Sequence, residues 1–174
     1  MRARRRLIIA ASLTPILGLA ACGDNDAGTA EVKQRTLTFV ERPTDNFSFD
    51  DAAPKTKLGE EGPERLSNGD QLTFSSDLLD DTRKDAGDLE VVCAVTRPGG
   101  FDAAHVQCNG TATLPGGVIT LSRGGRVFAG DDPTGSILGG TGAFAGATGV
   151  FSEAERAGDQ TTYTFRVSVP ATAS

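Results

Sequence analysis

The chain has no tryptophan, one tyrosine (Tyr163), one histidine (His105), one methionine (Met1) and three cysteines among 174 residues. Each scarcity excludes something. A single histidine and no nucleophile elbow leave a Ser-His-Asp hydrolase without support. Two closely spaced cysteines without a histidine pair fall short of the four ligands zinc usually takes. The missing tryptophan removes the core anchor of an immunoglobulin-like sandwich, and Cys93 and Cys108 lie too close in sequence for its inter-sheet bridge. Basic clusters are missing beyond residue 6, which argues against nucleic acid. After the N-terminal segment there is no helix-period pattern and no internal repeat. No metal and no cofactor is expected.

What is present begins with a targeting segment. Arg2, Arg4, Arg5 and Arg6 form a positive start, followed by an uncharged, mostly apolar run over residues 7–21 that ends in small side chains. This is the pattern of a secretory signal, and the run is shorter than the ~20 residues of a membrane-spanning helix. Arg4-Arg5-Arg6-Leu7-Ile8 also hints at twin-arginine export. Leu19-Ala20-Ala21-Cys22 resembles a bacterial lipobox, in which the Cys22 thiol receives a diacylglycerol. The expectation is therefore a signal peptide over 1–21, a polar, unpatterned tether over 22–34, and one β-barrel domain over 35–170. Cleavage would leave 153 residues, enough for one core. Lys plus Arg would fall from 17 to 13 against 23 Asp plus Glu, a formal charge of −10. Such a chain gains nothing from an anionic membrane surface, so attachment would come from the lipid, on the outer face of the cell membrane.

The remainder reads as about eight short strands joined by tight turns. A first strand covers residues 36–41 and ends before Pro43. Residues 42–69 form a long loop, with Phe47 and Phe49 alternating as a short edge strand or flap; a loop of that length is either functional or mobile. Leu72, Phe74, Ser76 and Leu78 share one face of the next strand. The carboxylates between Asp80 and Asp88 lack the ligand spacing of a calcium loop and read as a solvated turn. Residues 88–97 and 103–113 make a hairpin around Pro98-Gly99-Gly100. If Cys93 and Cys108 pair, Val95 falls opposite Val106, Val91 opposite Gly110 and Arg97 opposite Ala104, and the apolar face runs across both arms. In an exported protein that disulfide should form. The other face carries Val92 against His105 and Gln107, and which face lines the interior is open. His105 could serve as an acid or base or could simply be hydrated. Further strands are expected over 118–122, interrupted at Gly124-Gly125, and over 150–155 and 161–169. The last alternates Tyr163, Phe165, Val167 and Val169 with polar residues, as a half-buried strand does.

One stretch stands apart. Residues 139–151 place Gly139, Gly140, Gly142, Gly146 and Gly149 around a single large side chain, Phe144, before the strand that starts near Val150. Interior glycines disfavour a helix by ~1 kcal/mol each, so the stretch reads as a tight turn pinned by Phe144. Gly140-x-Gly142-x-x-Ala145 matches a dinucleotide fingerprint, but a β-like segment follows where that fingerprint needs a helix. The run resembles the Gly-Gly-x-Gly-x-Phe-x-Gly-Ala-x-Gly signature shared by plant allene oxide cyclases and dirigent proteins. Residues 37–42, 69–74, 88–96 and 163–167 resemble strands of that superfamily in the same order, so the resemblance covers about residues 36–169. It implies an all-β, eight-stranded antiparallel β-barrel of lipocalin-like architecture with a small-molecule cavity, often assembled as a homotrimer.

By the same resemblance, Thr38 and Val40 stand where the cyclase's first-strand Glu and Asn belong, Ser76 stands where a second-strand Asn belongs, and Glu41 corresponds to an outward Glu. Dirigent proteins use Asp, Arg and Tyr in the cavity, and these have no assigned counterparts here. The candidate pocket residues are therefore Thr38, Val40, Ser76, Val92, His105 and Gln107, with no catalytic group assigned. Two functions follow. One is an exported, lipid-anchored barrel that binds a small apolar or amphipathic molecule unchanged. The alternative is a cyclase or stereo-directing protein for a polyene, polyketide or phenoxy-radical substrate, working through cavity shape and water exclusion. A blander option is a barrel with a filled interior that serves as a structural or partner-binding module.

Overall fold

A computed structural model of the chain describes residues 31–42, 47–52, 58–59, 62–63, 65–127, 133–156 and 160–171. The proposed signal, Cys22 and most of the tether lie outside these residues. Nine strands carry the fold: β1 (Val32–Arg42), β2 (Phe47–Asp50), β3 (Gln71–Leu79), β4 (Asp85–Arg97), β5 (His105–Leu114), β6 (Gly117–Arg126), β7 (Thr134–Gly140), β8 (Thr148–Arg156) and β9 (Gln160–Pro170). All neighbours are antiparallel. β1 pairs with β9, the sheet then runs β8, β7, β6, β5, β4, β3, and β3 pairs back with β1, which closes an eight-stranded barrel. Closure removes the unpaired edges that an open sheet of this size would present.

β1 and β2 both run along β3: Arg42 lies opposite Asp77 and Phe47 opposite Phe74. β1 is longer than expected: Val32, Lys33 and Gln34, assigned to the tether, pair with Pro170, Val169 and Ser168. The predicted interruption at Gly124-Gly125 does not occur; both are paired within β6, opposite Gln107 and Val106.

The hairpin of β4 and β5 has the expected register at Val91–Gly110, Cys93–Cys108 and Val95–Val106, and the two cysteines form a disulfide. One pair differs. Arg97 lies opposite His105 rather than Ala104, because a bulge at Thr96 inserts one residue. Bulges of this kind shift the pairing by one and turn the strand end.

Two apolar clusters divide the interior. The larger groups Phe39, Leu78, Leu89, Ile119, Ile137, Phe144, Phe165 and Val167 with smaller side chains. Phe144 enters it from a single 3-10 turn, Gly142–Phe144, and is 4% exposed. Gly142 permits that turn: its φ is +59°, and a Cβ there would sit 2.2 Å from the Gly116 carbonyl oxygen. The second cluster contains Leu66, Leu72, Cys93, Val95, Ala104, Val106 and Cys108. Its Leu66 comes from the long loop, where Arg65–Leu66 pairs with Gly99–Gly100. Asp70, fully buried, holds the adjoining turn by accepting from Ala52 N–H (2.9 Å), Ser67 N–H (2.7 Å) and the Ser67 hydroxyl (2.8 Å). Part of the predicted loop is thus packed against the barrel wall.

Candidate functional site

Strand alternation decides which side chains reach the interior. Leu37, Phe39 and Glu41 point inward from β1, as do Phe74, Ser76 and Leu78 from β3 and Phe151 and Glu153 from β8. Where the large apolar cluster ends, a cavity of about 700 Å³ opens toward the end of the barrel that carries Arg126, Thr134, Arg156 and Gln160. Its walls combine Leu72, Phe74, Leu89, Val91, Leu121 and Phe151 with the Cys93–Cys108 disulfide. This volume lies in the range of small-molecule sites.

Into this apolar space project Glu41, Glu153, Tyr163 and Arg123, with Glu155 and Thr161 farther along the same strands. Glu153 and Tyr163 are a directly opposed pair on β8 and β9, and Tyr163 is also opposite Phe39 on β1. The Arg123 guanidinium on β6 donates to Glu153 Oε2 at 3.3 Å and to the carbonyls of Arg126 (3.0 Å) and Val127 (3.3 Å). The Ser76 hydroxyl donates to the Glu41 carboxylate. Burial raises the Glu153 carboxyl above its ordinary value; Arg123 pulls the other way, and the nearby Glu41 charge adds to the rise. Burial, with Glu153 and Glu41 repelling a phenolate, pushes the Tyr163 hydroxyl well above 10.0, so it stays a hydrogen-bond donor. Paired titrating groups pushed off their ordinary values inside a cavity make it the candidate functional site.

Of the six residues singled out in the sequence, Ser76 lines this cavity. Thr38 is exposed and Val40 half-buried on the outer side of β1, opposite Thr164 and Thr162. Val92 is 47% exposed, Gln107 is exposed, and His105 is half-buried; all three alternate with inward residues and sit on the outer face of the hairpin. The hairpin's inner face is the cysteine face. Glu41, expected to point outward, points in. Alternation along β1 could have located it, since Leu37, Phe39 and Glu41 share a phase. Arg123 was hidden by the reading of Gly124-Gly125 as a break. Glu153 and Tyr163 fall on strands that the pattern did identify, but their pairing depends on the register of β8 and β9. Among the described residues, no group of three His, Cys, Asp or Glu side chains is arranged to hold a metal ion, and no helix is long and apolar enough to cross a membrane.

No protein-family model and no curated protein sequence matches the chain. Solved structures do share its fold. A pyocyanin demethylase aligns with a TM-score of 0.59 at 21% identity, over 78% of this chain and 99% of its own. A pterocarpan synthase dirigent protein aligns with a TM-score of 0.61 at 16% identity, over 83% and 89%. A Diels-Alderase from Streptomyces koyangensis aligns with a TM-score of 0.54 at 16% identity, over 84% and 72%. The fold is therefore that of the dirigent and cyclase barrels. The names attached to those three proteins describe three different transformations, so the barrel alone does not select a reaction.

Proposed function

We propose that this chain is a cyclase-type or stereo-directing barrel acting on a small, mostly apolar, unsaturated molecule. The observation that carries the reading is the convergence of Glu41, Glu153, Tyr163 and Arg123 inside a cavity of about 700 Å³ walled by Leu72, Phe74, Leu89, Val91, Leu121 and Phe151. A passive container for an apolar molecule gains nothing from partly burying carboxylates, which is costly without a function for them. The apolar walls fold a flexible substrate into one reactive conformer and keep water out, and such pre-orientation can supply several kcal/mol of the barrier. The Tyr163 hydroxyl donates to an oxygen that gains negative charge as bonds reorganise. Glu153, its pKa raised by burial, takes or returns a proton within the cavity. Arg123 and Ser76 hold Glu153 and Glu41 in place.

We further propose export and attachment to the cell membrane through a lipid on Cys22, on the strength of the lipobox-like Leu19-Ala20-Ala21-Cys22. Intact-mass measurement of membrane-extracted protein checks this: a chain starting at a diacylated Cys22 supports it, and an uncleaved or unlipidated chain overturns it.

The function is tested by incubating the purified protein with small-molecule extracts of its host and following depletion and product formation by mass spectrometry. Conversion without change of mass, or ring closure, that is lost in Glu153→Gln and Tyr163→Phe supports the reading. A molecule that binds and is recovered unaltered, equally in both variants, favours the simple carrier instead.

A further inference from the structure

The cavity is unbalanced in charge. Its described lining holds three carboxylates, Glu41, Glu153 and Glu155, and one cation, Arg123. That cation is already committed. Its guanidinium is spread over Glu153 and the carbonyls of Arg126 and Val127, and its side chain is 11% exposed. Little of it remains for an incoming anion. Glu41 is held by a neutral donor, the Ser76 hydroxyl, which stabilises the carboxylate without cancelling its charge. Glu155 stands at the exposed end of the cavity, two residues along β8 from Glu153. Whether Glu153 is ionised or protonated, the lining stays net negative. The same space offers the aromatic rings of Phe74, Phe151 and Tyr163. Ring faces attract a desolvated cation, and more strongly than they would in water. The formal charge of the whole chain, −6, adds a long-range field of the same sign.

From this we infer that the barrel selects a cationic substrate: a planar or polyunsaturated molecule with a positive charge, delocalised or on a protonated nitrogen, seated between the aromatic wall and the Glu41 and Glu155 carboxylates. This rests on the cavity reading and narrows its substrate class. An anionic molecule of equal size meets uncompensated carboxylates. A neutral one gains the apolar contact alone.

The test uses two tricyclic probes of nearly the same shape, N-methylacridinium and acridine, titrated into the purified protein at pH 8, where acridine is uncharged. Tyr163 is the only tyrosine and there is no tryptophan, so quenching of its fluorescence reports occupancy of the cavity itself. At low salt the cation should bind at least ~10-fold more tightly than the neutral ring, a modest figure for one charge near partly buried carboxylates. The ratio should shrink as salt is raised. In Glu41→Gln/Glu155→Gln it should fall to within about threefold, the range left once the charge contribution is gone. Glu155→Gln alone, at an exposed position where folding is not at stake, should give an intermediate ratio. Equal binding of both probes to the wild type overturns the charge selection and leaves the cavity reading standing. Binding of neither probe overturns both. A preference that survives unchanged in the double variant overturns the assignment to these two carboxylates.

Discussion

Replacing Arg123 with methionine removes the one cation from the described lining of the cavity and leaves Glu153 inside without it. The guanidinium makes three hydrogen bonds, to Glu153 Oε2 at 3.3 Å and to two backbone carbonyls at 3.0 and 3.3 Å. A charge-assisted bond contributes about 1.5–3 kcal/mol net, and removing one partner of a fully buried pair costs about 3–5 kcal/mol. Glu153 keeps 27% of its side chain exposed, and methionine restores part of the apolar packing. The expected loss is therefore about 2 kcal/mol at pH 7.5, toward the low end of the charge-assisted range. The pH dependence carries a sign. Because the folded-state pKa of Glu153 is raised, the folded state binds more protons than the unfolded one between the ordinary carboxyl value and the raised one. Stability from this group is therefore lost as pH rises through that window and regained as pH falls. Arg123 is the strongest influence holding the pKa down, so the variant should titrate over a wider window and recover more on acidification. Urea denaturation followed by circular dichroism, at pH 7.5 and 5.5, would show the gap between variant and wild type shrinking at the lower pH. Arg123→Met/Glu153→Gln should recover most of the loss at pH 7.5. A variant within about 0.5 kcal/mol of wild type at pH 7.5, the scatter of ordinary surface substitutions, would refute the reasoning, as would a gap that does not change with pH.

Other positions give independent readouts. The lone Tyr163 should show no phenolate absorbance until well above its ordinary value of 10.0, with ionisation coinciding with alkaline unfolding, because the folded state retains the proton longer than the unfolded one; an ordinary titration curve in the folded protein would place the ring in solvent. Gly142→Ala should cost several kcal/mol, from a left-handed φ of +59° and a Cβ 2.2 Å from a carbonyl oxygen, whereas Gly139→Ala, with open space at its Cβ, should be close to neutral or slightly stabilising in thermal melts. Reducing Cys93–Cys108, 15 residues apart, should lower stability by about 3 kcal/mol on the chain-entropy account, and since both sulfurs line the cavity it should also change probe affinity, which paired titrations with and without reductant would reveal. Asp70→Asn should cost about 2–3 kcal/mol, since the amide can replace one acceptor but not both oxygens that hold Ala52 and Ser67; a chemical denaturation midpoint unchanged from wild type would contradict that role.

The barrel was legible because its signals are local. Alternation in residues 71–78 and 161–169, the turn at Pro98-Gly99-Gly100 and the cysteine spacing each constrain neighbouring strands, and the observed register agrees with them at Val91, Cys93 and Val95. The bulge at Thr96 was not legible, since it lies one residue from the end of β4 and too little of the strand follows to show the inverted alternation. The site was mostly missed for a related reason. Resemblance to the cyclase pattern placed the functional positions at Thr38 and Val40, yet the phase of β1 is set by Phe39, which packs edge-on against Phe165 at 5.9 Å between ring centres. With Phe39 inward, Glu41 follows it in, and Thr38 and Val40 turn out. A shift of one residue exchanges every inward and outward side chain, so a motif match that is off by one reverses the inferred lining. The hairpin posed the same problem in another form: pairing Cys93 with Cys108 settled which residues share a face, but only closure of the whole barrel showed that this face looks inward.

The division of the interior explains how a chain this small carries half-buried carboxylates in its cavity. Burying an acidic group costs stability, and a domain has only about 5–15 kcal/mol to lose. Here the cost falls at one end while the stabilising packing is concentrated at the other, where Leu78, Ile119, Phe165 and Val167 are almost wholly buried and the Phe144 turn adds a large side chain to the cluster. The disulfide sits with Leu72, Val95 and Val106 in the second cluster and braces the wall of the open half. The strands themselves link the two halves: Phe39 and Glu41, Phe151 and Glu153, and Phe165 and Tyr163 are each two residues apart on one inward face, the first of each pair in the core and the second in or near the cavity. Each polar group is thus anchored by an aromatic residue one pleat away. This arrangement fixes its direction without a dedicated loop and makes the core substitutions Phe151→Leu and Phe165→Leu as disruptive to the site as to the fold.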